Sequence, residues 1–192
     1  MTTPPIATLI QDLDSFDYEV RAQAQTQLVA FGAAAVEPLI DAMHTLQGRK
    51  SWLALHVLSE IEDERVIPVM IEALTLPNNI LQQTAAELLG HIGDQRAVLP
   101  LIQALGGGSA NLVLWVATSL GELGDRRAID GLIATLQATP SPTVRHTVIK
   151  ALQKLDARRA IPIIAQFADD EDPHVRSRVQ KALDSLSELP EE

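Results

Sequence analysis

Apolar residues recur along this chain at helical spacing, and the whole pattern then repeats about every 31 residues. One ladder runs Leu28, Leu58, Leu89, Leu120, Leu152 and Leu183, in steps of 30 to 32. Four residues before each rung stand Ala24, Ala54, Ala85, Val116, Val148 and Val179; three after it stand Phe31, Ile61, Ile92, Leu123, Leu155 and Leu186. Spacings of four and three lay these positions on one face of an α-helix, helix A of each unit. A second ladder, Ile40, Ile71, Ile102, Ile133 and Ile164, keeps a step of 31. It travels with Leu39, Met70, Leu101, Leu132 and Ile163, and with Met43, Leu74, Leu105, Leu136 and Phe167, and it marks a helix B. By this alignment, repeats one and five are one residue shorter than the others between the two helices, a difference that a turn absorbs.

The polar positions punctuate the same period. Asp17, Gln47, Asn78, Ser109, Ser141 and Asp172 precede the six A helices, and all but Gln47 are good N-caps for the free amides of a first turn. Pro142 and Pro173 follow two of these caps, at a position where a missing N–H costs nothing. The turns "GDQRA" and "GDRRA" place Gly93 and Gly124 to end helix A and an aspartate near the start of helix B. Pro38, Pro100 and Pro162 lie at one register early in helix B, where proline is tolerated.

Helix pairs this short cannot bury their own apolar faces, so copies must stack to share a core. The expectation is an all-α fold of one domain over residues 1–192 with about five and a half repeats. A capping helix over 4–16 leads helix pairs over 17–46, 47–77, 78–108, 109–140 and 141–171, and a C-terminal capping helix covers 172–187.

Composition narrows the chemistry. Only 3% of the 192 residues are aromatic against 46% hydrophobic, so the core is aliphatic. The absence of cysteine removes disulfides, thiolate metal sites and thiol catalysis, and fits the expected cytoplasmic location. The opening "MTTPPIATLIQDLDS" lacks the basic and apolar regions of a secretory signal, and no apolar run is long enough for a membrane span. The net charge of −10 is lopsided: residues 1–96 hold 13 acids against 5 bases, and 97–192 hold 12 against 10. Nucleic acid, which calls for a basic stripe, is not an expected partner, and neither is a membrane.

The segments "DYEVRAQAQTQL", "GDQRAVLPLIQAL", "GDRRAIDGLIATL" and "DPHVRSRVQKAL" resemble the HEAT repeat, in particular the phycobilisome-lyase HEAT-like subfamily. The resemblance covers nearly the whole chain. It implies an α-α superhelix, a right-handed solenoid of helical hairpins whose B helices line a concave face. Proteins similar to this subfamily include bilin lyase subunits, phycobilisome-degradation factors, adaptors without chemistry, and a diiron hydroxylase that holds its metal with His-Glu pairs. None of His44, His56, His91, His146 and His174 is followed by Glu, and no pair has one-turn ligand spacing, so no metal or other cofactor is expected. The Gly106–Ser109 run lacks the lysine and the preceding strand of a phosphate-binding loop. No nucleophile motif is present either.

Asp63, Asp94, Asp125 and Asp156 recur with Arg65, Arg96, Arg127 and Arg159. Recurrence in four successive units points to a structural ladder rather than a catalytic set. More telling are positions where one unit departs from the rest. Trp52 stands alone in the outward row of the A helices, with His56 one turn on, and is a candidate interface anchor. Trp115 is expected to pack in the core. Along the outward row of the B helices, Asp41, Glu72, Gln103, Ala134 and Ala165 run from acidic to small and neutral. The expected function is a non-catalytic scaffold that binds another protein through Asp41, Glu72, Gln103, Trp52 and His56. The alternative, from the resemblance, is a phycobilisome-related factor, either a bilin lyase subunit or a phycobiliprotein chaperone or degradation factor. Its partner would be a phycobiliprotein or a second HEAT-repeat subunit.

Overall fold

A computed structural model of the chain describes residues 4–45 and 49–188, so the cap position Gln47 lies outside the described residues. Among the described residues there are helices and turns and no strand. The chain packs as two compact units, Met1–Leu88 and Leu89–Glu192.

In the first unit, α1 (Ile6–Asp12) packs on α2 (Tyr18–Phe31), α3 (Ala33–Thr45) and α4 (Arg49–Ser59), and α4 packs on α5 (Val66–Ala73). Leu28 and Leu58 are wholly buried with Leu39 and Met70. Gly32 alone separates α2 from α3; its φ of 55° is the left-handed backbone that only glycine adopts cheaply.

Helix α6 (Asn79–Ile92) begins in the first unit and ends in the second, which continues with α7 (Val98–Leu105), α8 (Ala110–Leu123), α9 (Ile129–Ala138), α10 (Pro142–Lys154), α11 (Ile161–Ile164) and α12 (Pro173–Ser187). The A helices α8, α10 and α12 pack side by side in that order, and the B helix α9 packs against α7 and α10. Short 3-10 turns, Gln95–Ala97, Arg126–Ala128 and Arg158–Ala160, lead into α7, α9 and α11. Ser109, Ser141 and Asp172 cap α8, α10 and α12 by accepting first-turn amides. In the first unit Asp17 does the same for α2.

The core differs from the expected register in three places. On helix B the deep positions are Leu39, Met70, Leu101 and Leu132, all wholly buried, whereas Ile40, Ile71, Ile102 and Ile133 lie half-buried on the flank. In the fifth repeat it is Ile164, not Ile163, that is wholly buried, so Ile164 takes the place of Leu132. The 3-10 turns agree: Arg126–Ala128 and Arg158–Ala160 stand 32 residues apart, so the fifth repeat keeps its full length and only the first is short. Ala168 then falls where Leu136 anchors α9; it is exposed, and the helix tightens to 3-10 geometry at Ala165–Phe167. Third, Leu183 is half-buried and Ile92 is 39% exposed, while Val179 and Leu186 are buried as expected.

Candidate protein-binding site

The turn aspartates are the first chemistry to place. Asp63, Asp94 and Asp125 each accept the backbone N–H of the arginine two residues on, at 3.0, 2.8 and 2.8 Å. The same arginines close a side-chain clasp, with Nη2 donating to the second carboxylate oxygen at 2.7 Å in all three. Donation from Arg65, first by its side chain and then by its backbone, holds the Asp63 carboxyl down at about 2. Asp94 and Asp125 are lowered by the same two causes from Arg96 and Arg127. Arg65 also donates to Glu37 Oε1 at 2.8 Å and to the Ala33 carbonyl at 3.1 Å, tying its turn to α3.

Asp156 and Arg159 do not make this clasp. The shift of register puts Asp156 where Gly124 stands, with φ of 49°, and Ala157 where Asp125 stands. With alanine rather than a carboxylate two residues before it, Arg159 reaches Asp130 Oδ1 on α9 at 2.9 Å.

A second group of arginines stands at the starts of A helices. Arg21, Arg145 and Arg176 each lie four residues after an N-cap, and each guanidinium turns back to donate to two carbonyls of the preceding loop. The distances are 2.7 and 3.1 Å for Arg21, 3.4 and 3.1 Å for Arg145, and 2.7 and 3.0 Å for Arg176. Arg145 further pairs with Asp170 at 2.8 Å, with side chains only 15% and 5% exposed, and its guanidinium lies 5.8 Å from the Phe167 ring centroid. The shared register in "DYEVRA", "SPTVRH" and "DPHVRS" is the signal that marks these latches.

The expected contact residues divide between the units. In the first, Asp41 and Glu72 are exposed on α3 and α5, and the His44 imidazole stands 3.7 Å from the Glu72 carboxylate. Trp52 and His56 are half-buried on α4 and meet edge to face at 5.3 Å. In the second unit Gln103 is exposed on α7. Trp115, expected in the core, is 38% exposed, because Leu112 and Val116 take the inward face of α8.

What the expectation lacked is a cleft of about 500 Å³ in the second unit, bounded by α7, α9 and the first turns of α8 and α10. No ionisable residue lines it. Its walls are Ile102, Leu105, Val113 and Val144, and its openness comes from small residues at Gly106, Gly108, Gly131, Ala134 and Ala138. Gly131 sits where the other repeats carry Pro38, Val69, Pro100 and Ile163, and Ala134 where they carry Asp41, Glu72 and Gln103. A Cβ at Gly131 would stand 3.2 Å from Leu105 and 3.3 Å from Ile102, so α9 approaches α7 closely there. The Thr135 hydroxyl already donates to the Gly131 carbonyl at 2.8 Å, and the remaining surface is more apolar than polar. The outward row thus drops to a methyl at Ala134, beside a cleft whose depth depends on Gly131, and in the fifth repeat's corrected register it continues at Gln166 rather than Ala165.

Among the described residues no group of three or more His, Asp or Glu is placed to hold a metal ion. No helix among them is long and apolar enough to cross a membrane.

Comparison with the curated proteins finds no match. Among solved structures, an engineered protein is 17% identical and superposes with a TM-score of 0.59 over 97% of this chain and 100% of its own. A chain from work on a phosphorylation switch controlling the interaction between cadherin and β-catenin is 17% identical, with a TM-score of 0.56 over 93% of this chain and 44% of its own. The complex of CpcE and CpcF of phycocyanin lyase from Nostoc sp. PCC7120 offers a chain 24% identical over 99% of this one and 68% of its own. Its TM-score of 0.45 is too loose an overlay to bear on function. Residues 67–146 and 129–192 match the family model for HEAT repeats, an unbroken stretch well over half the chain. Stacked A and B helices, a 31-residue period and this match agree: the chain belongs to the HEAT-repeat family.

Proposed function

We propose that this protein is a non-catalytic protein-binding module whose second unit receives apolar side chains of its partner in the cleft beside Ala134. The observation that carries the reading is the conjunction of volume and neutrality: about 500 Å³ of recess with no charged group to desolvate. Pockets of this size and lining hold apolar groups, and each buried leucine- or phenylalanine-sized side chain contributes roughly 1.5–3 kcal/mol. Gln103, exposed on α7, supplies a polar contact at the same side of the unit. In the first unit, Asp41, Glu72 and the Trp52–His56 pair are proposed as contacts for the same class of partner.

Panning a displayed peptide library against the wild-type protein tests the cleft. Selected peptides should carry spaced Leu, Ile or Phe and lose binding to Ala134→Glu, an exposed substitution that leaves the melting midpoint in place. Selection of peptides without apolar anchors, or binding indifferent to Ala134→Glu, would sink the cleft as the recognition site. Reversing charge at Asp41 and Glu72 tests the first unit in the same assay, where unchanged binding removes those two residues.

The second reading is a phycobilisome-related factor, a bilin lyase subunit or phycobiliprotein-handling protein acting with a partner subunit. The residues in its favour are the "GDQRA" and "GDRRA" turns, which resemble those of the phycobilisome-lyase HEAT-like subfamily. Mixing the protein with phycocyanobilin, alone and with a second HEAT subunit, should then shift the visible absorption band. An unshifted band removes this reading and leaves the first intact.

A further inference from the structure

One surface of the second unit has the opposite sign to the chain as a whole. Helix α10 carries Arg145, His146, Lys150 and Lys154 and no carboxylate, and α12 carries His174, Arg176, Arg178 and Lys181 before its first acid, Asp184. Arg145 and Arg176 are occupied by Asp170 and by loop carbonyls. Lys150, Lys154 and Lys181 are exposed and pair with no carboxylate among the described residues. Between the helices, Arg178 donates to His146 Nε2 and to Gln153 Oε1, both at 3.4 Å, so its charge is shared with neutral groups only. His146 registers the local field: burial lowers its pKa first, and then Arg178, Lys150 and His174 lower it further, with only Asp172 opposing. Beside it lies a recess of about 250 Å³ lined by Pro142, Thr143, His146, Asp172 and His174.

We infer that the outer surface of α10 and α12 docks an acidic protein segment, its carboxylates set against Lys150 and Lys154, which border α8 beside Thr118, and against Arg178 and Lys181 on α12. Lys150 and Lys154 are one helical turn apart, roughly 6 Å between Cβ atoms, and the neighbouring helix lies roughly 8–10 Å away. Carboxylates four residues apart on a helical segment match the first spacing, so each can meet a cation without strain. A nucleic acid fits less well. Its dense charge, about one per 1.7 Å of duplex, meets a protein of net charge −10 and an Asp172 carboxylate at the rim of the recess. This surface is separate from the apolar cleft, and the inference stands whether or not the cleft binds a partner.

The test is fluorescence anisotropy with a dye-labelled helical peptide bearing glutamates four residues apart, titrated with the full chain at low salt. The wild type should bind it. Its glutamine counterpart should not bind, and Lys150→Glu/Lys154→Glu should weaken binding at least about tenfold, as should about 0.5 M NaCl. Both substitutions are at exposed positions, and an unchanged melting midpoint separates lost binding from lost fold. Three results overturn the inference: no binding of the glutamate peptide, binding that survives the charge reversal, or tighter binding of a labelled single-stranded DNA or of phosphatidylserine vesicles. Self-association of the wild type that the double substitution abolishes would also overturn it, since the occupant would then be a second copy.

Discussion

An aspartate that caps a turn and also clasps the arginine two residues on is held in its charged form twice over. Asp63, Asp94 and Asp125 titrate below the usual carboxylate range, Asp63 at about 2, and Asp172 is lowered as a cap alone, by the backbone amides of His174 and Val175. In the unfolded chain each would titrate near its ordinary value of about 3.9. Between these values the unfolded state binds more protons than the folded one, so stability is fully present above about pH 4 and is lost as pH falls toward 2. Melting midpoints followed by circular dichroism should therefore drop across that window, and Asp63→Asn should flatten the drop; a midpoint indifferent to pH there would contradict the clasp. The back-turned arginines differ from one another in a way that depends on burial. Arg145→Ala strands the nearly buried Asp170 and is expected to cost about 3 kcal/mol in urea unfolding. Arg176→Ala gives up bonds to exposed carbonyls and should cost about 1 kcal/mol. Equal losses would mean that the ion pair contributes nothing. The caps were readable because capping is local chemistry; the latches leave a trace in the arginine four residues after a cap, but the carbonyls they bind depend on how the loop folds back.

At the scale of elements, A helices meet where side chains are smallest. An added Cβ on Gly90 of α6 would stand 2.6 Å from Ser119 Oγ and 2.9 Å from Ser119 Cα on α8; on Gly121 it would stand 3.1 Å from Ala151 Cα on α10. Contacts to a backbone atom cannot be relieved by a rotamer change. Gly90→Ala is therefore expected to destabilise by roughly 1–3 kcal/mol despite alanine's better helix propensity of about 1 kcal/mol. Thermal unfolding decides the sign, and a stabilised variant would show that α6 and α8 move apart freely. The helices themselves were legible from apolar period and caps, and the fold class with them. The fifth-repeat register was not. Ile163 and Ile164 are both isoleucine, so either can fill the deep site by composition. The decision lay in the turn, where Asp156 takes a left-handed conformation with no glycine to announce it. Trp115 misled for a related reason: each residue turns the helix by about 100°, and one step from Val116 is enough to leave the core.

For the whole molecule, charge rather than shape supplies the prediction. The unit Met1–Leu88 holds 12 acids against 4 bases, and Leu89–Glu192 holds 13 against 11. Self-repulsion in the first unit weakens with screening, so raising NaCl from about 0.02 to about 0.5 M should raise the melting midpoint and sharpen the transition. A fall would show that salt-sensitive attractions, such as the Asp–Arg clasps, outweigh that repulsion. The acidic start of the outward row and its neutral end were visible in the sequence; the cleft was not, because a cavity depends on how near α9 comes to α7. That cleft has a further implication. It was made by subtraction, a hydrogen at Gly131 where sister units have a ring or a branch, and a methyl at Ala134 where they have a polar tip. An opening of that kind asks for no new backbone and no reactive group, only for one unit to be hollowed out. On the proposed function, recognition would be a property of one module, set by the residues at two of its positions, 131 and 134.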